Sequence, residues 1–243
     1  MQPFLIALQF LTSLPVRLDG MPEPQAVGRS LLHYPGVGVL LGAMLWLAGA
    51  ALDVTAAPLL AALLLTGWVA LTGGLHLDGL ADSADAWLGG FGDRERTLAI
   101  MKDPRSGPIA VVVLVLLLLL KFAALWTLLV AEQHLALLLA PLLGRSALLG
   151  LFLTTPYVRP GGLGQVLVEQ MPRNAVHIVL GAIVLVCLAL GSSGWLALAA
   201  AAGVGWLARR AMCRRIGGTT GDTAGALVEL VECAVLVALA LGL

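Results

Sequence analysis

Residues 108–130 read PIAVVVLVLLLLLKFAALWTLLV, with Lys121 the single charge in the run. At about 1.5 Å per residue a helix of this length crosses a hydrocarbon core of roughly 30 Å. A run this long has no place in the core of a soluble domain of this size. Six further apolar stretches flank it, at 33–52, 58–75, 135–154, 176–191, 195–208 and 224–243. The expected fold is therefore all-α, a polytopic transmembrane bundle of about seven spans forming one integral membrane domain over residues 1–243. The 195–208 stretch is short for a crossing, and Pro141 interrupts 135–154. At the N-terminus Phe4 to Leu14 is too short to span and lacks the basic flank and cleavage site of a signal peptide, so a short interfacial helix is expected there.

Composition agrees with lipid as the solvent. Of 243 residues, 60% are hydrophobic and 12% charged, and the mean hydropathy is +0.99. The 14 basic and 14 acidic residues cancel, so no global field recruits nucleic acid, and membrane lipid is the implied surround. Cys187, Cys213 and Cys233 show no metal-ligand spacing and read as reduced packing residues. Gly36, Gly38 and Gly42, with Gly203 and Gly205, are candidates for close helix approach.

The positions of the basic residues set an expected orientation. Arg17 and Arg29 precede the first span, and Arg94, Arg96, Lys102 and Arg105 follow the second. Arg159 and Arg173 follow the fourth, and Arg209, Arg210, Arg214 and Arg215 the sixth. The alternate connections, near Asp53, Glu132 and Ser192, carry no Lys or Arg. By the positive-inside rule the N-terminus and the basic connections face the cytoplasm and the C-terminus faces outward.

Two of those connections, at about 76–107 and 209–223, hold the polar residues that could do chemistry. The first, HLDGLADSADAWLGGFGDRERTLAIMKDPRSG, contains six carboxylates and four bases. Asp78, Asp82 and Asp85 fall at i, i+4 and i+7, one face of a helix continuing from the second span. Three like charges on one face call for a cation, and oxygen-only donors favour Mg²⁺, which binds through a few carboxylates together with substrate phosphates. The bland reading is a solvated acidic face paired with nearby arginines. His76 lies almost opposite that face and could accept a proton only if the chain bends at Gly73 and Gly74. The turn MKDPRSGP offers Lys102 and Arg105 as phosphate contacts, or as plain topology anchors.

The second segment, GGTTGDTAGALVELVE from Gly217 to Glu232, is a glycine-rich turn entering a helix. Gly218, Thr220 and Gly221 could present backbone N–H groups to an anion, with Asp222 as a further metal ligand. Glu229 and Glu232 continue an acidic stripe into the bilayer. They are expected to face the bundle interior and bind a metal, a substrate or the embedded bases Lys121 and Arg145.

Taken together, FLIALQFLTSLP, GGLHLDGLADSADA, MKDPRSGPIA and GGTTGDTAGALVELVE resemble the cobalamin synthase family, adenosylcobinamide-GDP ribazoletransferase, in order along nearly the whole chain. Where family members often read Asp-Ser-Arg in the basic turn, this chain has Asp103, Pro104 and Arg105. The resemblance implies a Mg²⁺-dependent enzyme joining adenosylcobinamide-GDP to α-ribazole, or its 5′-phosphate, with release of GMP. It carries Asp78, Asp82 and Asp85 over as the acidic motif, Lys102, Asp103 and Arg105 as the basic turn, and Gly221 and Asp222 as the loop entering the last helix. Catalytic roles are then expected for Asp82, His76, Lys102 and Arg105. A homo-oligomer is compatible with all of this. A CDP-alcohol phosphotransferase or prenyltransferase needs different motif spacings, and an ion-coupled transporter would concentrate its charges near the midplane.

Overall fold

Twelve α-helices and one 3-10 turn account for about four-fifths of residues 1–18, 20–52, 56–161 and 163–243, the parts described in the computed structural model of the protein. The helices are α1 (Gln2–Leu11), α2 (Pro24–Ser30), α3 (Tyr34–Ala51), α4 (Ala57–Thr72), α5 (Leu75–Gly89), α6 (Arg94–Ile100), α7 (Pro108–Val130), α8 (Leu135–Thr154), α9 (Leu163–Glu169), α10 (Arg173–Ala189), α11 (Gly191–Ile216) and α12 (Gly221–Leu241). No strand occurs among the described residues, only a parallel bridge between Tyr157 and Thr219.

Every apolar stretch of the sequence becomes a helix, but they do not all span alike. Among the described residues five helical segments are long and apolar enough to cross a membrane: α2 through α3, α7, α8, α11 and α12. The bent pair α4–α5 makes a sixth if it is one span, so five or six of the about seven expected spans of the polytopic bundle are met by length and composition. Helix α10 has 17 residues, and α4 has 16 and turns by 88° into α5. The turn has a local cause. Gly73 and Gly74 take φ of +61° and +69°, left-handed values that cost glycine nothing and other residues dearly. The acidic face is thus not a continuation of the second span. It lies on a separate amphipathic helix set across it. The 195–208 stretch, expected to be short, sits inside the 26-residue α11, which continues through Arg214 and Arg215 until Gly217 ends it in the left-handed conformation. Much of what the sequence suggested as two loops is therefore helical, in α5, α6 and the end of α11, leaving residues 217–220 as the second connection.

Helix α12 is central and packs on α5, α7, α8 and α11. Its start is held by a capping box, in which the Thr220 side chain accepts from the Thr223 amide and the Thr223 hydroxyl accepts from the Thr220 amide. On α7, Val111, Val112, Val115, Leu116, Leu119 and Leu120 stay exposed, the apolar surface that lipid solvates. Helix α1 is ten residues long and buries only Ile6, Ala7 and Leu11, as an interfacial helix would.

Two of the helix-contact glycines behave as expected. A Cβ at Gly38 would strike the Pro141 carbonyl, and one at Gly42 would lie 2.5 Å from the Leu137 oxygen. Pro141 has no N–H to give the Leu137 carbonyl four residues back, and Gly42 packs its α-carbon against that oxygen. The interior proline is tolerated where α3 covers the carbonyl it releases. Gly36, Gly203 and Gly205 have open space where a Cβ would sit, which corrects their assignment to close helix packing.

The buried charges of the spans neutralise one another. Lys121 Nζ donates to Glu229 and Glu232 at 2.6 Å each, Arg145 pairs with Glu232, and Trp68 stacks over the ammonium at 4.8 Å. Of the partners left open for the two glutamates, the embedded bases are the ones found. A lone charge at such depth costs about 2.5–3.5 kcal/mol to insert. All three cysteines are free.

The bases collect at one end of the bundle. Arg94 donates to the Ile216 carbonyl at 2.9 Å, Arg215 to Thr97 and the Trp87 carbonyl, and Arg209 to the Thr154 carbonyl at 2.7 Å. At the other end, Glu132, Gln133, His134 and Ser192 include no Lys or Arg; Asp53 lies outside the described residues.

Candidate functional site

The N-terminus of α12 and the acidic face of α5 meet at this basic end. Their backbones touch, for a Cβ at Gly79 would lie 2.7 Å from the Asp222 carbonyl oxygen and 3.1 Å from its α-carbon. That approach brings the flanking acids together. The like charges felt by the Asp82 carboxylate are Asp78, Asp222 and Asp85, and the opposite charge is Arg159. Arg159 donates to Asp222 at 2.7 Å across 63 residues of sequence.

The four aspartates are differently engaged. Asp85 accepts from the amides of Gly107 and Ala110, the latter at 3.0 Å, so it caps the start of α7 from outside that helix. Asp222 is shared with Arg159. The side chains of Asp78 and Asp82 make no hydrogen bond among the described residues and are free to take a ligand. Nor do any three His, Cys, Asp or Glu side chains among the described residues stand close enough to hold a metal by themselves. The donor set is what a cation uses when a few carboxylates hold it beside phosphate oxygens and water.

Beyond Asp222 lies a cavity of about 210 Å³ lined by Arg94, Lys102, Arg159 and Thr220 among others. Three cations converge there from α6, its C-terminal turn and the loop after α8. Arg105 does not join them. Its side chain is 87% exposed and clasps Asp103 two residues away, both through its backbone amide at 3.1 Å and through its guanidinium at 2.7 Å. That clasp holds the Asp103 carboxyl down at about 2.

The glycine-rich turn is built for contact with a second strand of chain. A Cβ at Gly218 would strike the Pro156 carbonyl, and the Thr219 amide donates to that same oxygen at 2.8 Å while Val158 donates to Thr219 at 2.9 Å. Gly218 and Thr219 thereby fix the segment that carries Arg159. Thr220 is the helix cap, with its hydroxyl 3.2 Å from Met101 Sδ. Gly221 is exposed, beside the Tyr157 hydroxyl, whose proton affinity burial raises.

On the far side of Asp222 a second cavity, of about 170 Å³, runs between α1, α3, α5, α8, α9 and α12. Asp78 and Asp222 stand in its wall with His76, which is 3% exposed and whose Nδ1 has no hydrogen-bond partner. Sequence reasoning missed Arg94 and Arg159 as site residues, reading both as topology anchors. The one hint for Arg159 was its place in a proline- and glycine-rich turn, Pro156 to Gly161.

Fold and site together define a helical membrane protein with an acidic cluster wedged between two cavities at one end of the bundle. The cobalamin-5-phosphate synthase family profile matches residues 3–240, and the chain belongs to that family. Relatives named adenosylcobinamide-GDP ribazoletransferase include one from Pseudomonas putida (strain KT2440), 70% identical over 243 residues with both chains covered fully. Another, from Stutzerimonas stutzeri (strain A1501), is 69% identical over 241 residues, 99% of this chain and 98% of its own. A third, from Ectopseudomonas mendocina (strain ymp), is 65% identical over 98% of each chain. No solved structure matches the chain.

Proposed function

We propose that this chain carries out the reaction its relatives are named for, joining adenosylcobinamide-GDP to α-ribazole or its 5′-phosphate with release of GMP. The observation that supports this most directly is the meeting of α5 and α12, which sets Asp78 and Asp82 beside Asp222 and the cation-lined cavity. In this reading Arg94, Lys102 and Arg159 bind the oxygens of the diphosphate as charge-assisted donors. Arg105, turned to Asp103, takes no part in it. Asp78 and Asp82 would supply carboxylate oxygens to Mg²⁺ beside the phosphate oxygens, with Asp222 paired to Arg159 and Asp85 committed to α7. The ion, when bound, neutralises the diphosphate and the leaving GMP. A ribazole hydroxyl attacks the phosphorus next to cobinamide, the new P–O bond replaces the bond to GMP, and the hydroxyl proton passes to Asp82.

The one-sided distribution of Lys and Arg supports a cytoplasmic face for this end and an inner-membrane location. It gives no support to the transporter reading, whose relay residues Lys121, Arg145, Glu229 and Glu232 are ion-paired with one another. The test uses purified protein in liposomes. GMP release from adenosylcobinamide-GDP should require both α-ribazole and Mg²⁺, and Asp82→Asn should abolish it in a folded protein. Release without α-ribazole, or full activity in Asp82→Asn, overturns the reading.

A further inference from the structure

The cavity holding His76 is chemically unlike its neighbour on the other side of Asp222. Its walls include Phe10, Tyr34 and Phe152; Tyr34 is 1% and Phe152 5% exposed. Phe10 stacks on Tyr34 with ring centroids 6.2 Å apart at 24°. Part of the wall has no side chain, being Gly79 and Gly225, and a Cβ at Gly225 would sit 3.4 Å from the His76 backbone. The carboxylates Asp78 and Asp222 stand in the same lining.

Size, polarity and charge each narrow the occupant. An apolar cavity of about 150 Å³ takes up a benzene-sized ring, so about 170 Å³ suits one flat ring system and excludes a corrin macrocycle. Two carboxylates in the wall repel phosphate, which the Arg94, Lys102 and Arg159 cavity attracts instead. The His76 imidazole, whose Nδ1 is buried without a partner, is a polar side chain in this wall beside the two carboxylates. A buried polar atom left unpaired costs about 1–3 kcal/mol, a deficit that a ligand atom can remove.

Resting on the function proposed above, we infer that this cavity receives the aromatic base of the acceptor nucleoside, with the His76 imidazole hydrogen-bonded to its unglycosylated ring nitrogen. The base of α-ribazole is a neutral benzimidazole with that single polar ring edge. Seating it here brings the attached ribose hydroxyls to Asp78 and Asp222, between the base and the diphosphate in the basic cavity. The two substrates thus approach Asp222 from opposite sides, sorted by charge.

The test is calorimetric binding of α-ribazole and, separately, of the GDP-bearing substrate to the full-length protein in detergent, alongside KM for each. Leu148→Trp fills the cavity from α8 and should weaken α-ribazole at least about tenfold, roughly 1.4 kcal/mol. His76→Leu should weaken it about fivefold, the worth of one hydrogen bond, and His76→Gln should recover part of the loss. Binding of the GDP-bearing substrate should not change in any of these. Should Leu148→Trp fail to fold, competition on the wild-type protein decides, with free 5,6-dimethylbenzimidazole expected to displace α-ribazole and not the GDP-bearing substrate. A folded Leu148→Trp that binds α-ribazole normally, or a free base that displaces only the GDP-bearing substrate, overturns the assignment. Wild-type protein that binds α-ribazole with this sensitivity yet releases no GMP refutes the enzymatic reading and leaves the site standing. Normal turnover with an insensitive cavity does the reverse.

Discussion

Gly79 of α5 lies against the backbone of Asp222 of α12, with 2.7 Å between the position of a Cβ on the first and the carbonyl oxygen of the second. Neither partner at this crossing is a flexible side-chain end, so no rotamer change can make room for an added methyl. Gly79→Ala should push the helices apart and separate Asp78 and Asp82 from Asp222 and Arg159. Overpacking of this kind costs about 1–3 kcal/mol, and turnover should fall far more than unfolding temperature does. Wild-type turnover in a folded Gly79→Ala protein would show that these acids need not converge.

Asp85 makes the opposite prediction for a member of the same acidic face. Because its oxygens take the Gly107 and Ala110 amides, Asp85→Asn weakens the start of α7. A lost cap costs about 0.5–2 kcal/mol. Thermal unfolding should register that loss, while the Mg²⁺ concentration for half-maximal activity stays unchanged. In Asp78→Asn that concentration should rise. A reversed pattern would return Asp85 to the metal.

The network inside the bilayer is a matter of stability. Lys121→Met leaves Glu229 and Glu232 facing Arg145 alone, and breaking a buried ion pair costs about 3–5 kcal/mol. Adding Glu229→Gln removes the surplus charge and should restore much of the unfolding temperature in detergent, a coupling that a double-mutant cycle measures.

How far the sequence disclosed all this depended on the kind of physics involved. Hydropathy identified every apolar helix, because insertion in lipid is decided by composition over some twenty residues. The bend at Gly73 and Gly74 was legible as a requirement for His76 to act, since two adjacent glycines permit left-handed backbone. The pairing of Lys121 and Arg145 with Glu229 and Glu232 was legible because lipid leaves such groups few alternatives. Helical spacing alone could not separate Asp85 from Asp78 and Asp82; what does so is the position of α7, a tertiary fact. Nor could spacing show that Asp103 clasps Arg105 locally while the bridge from Tyr157 to Thr219 carries Arg159 to Asp222.

With its bases gathered where α5 meets α12, and none among the described residues at the opposite end, the bundle offers an anionic substrate one favourable face. In the proposed reaction the diphosphate is drawn to that face. In the proposed reaction the chemistry takes place at that one face, and the bilayer serves as a mooring for the enzyme.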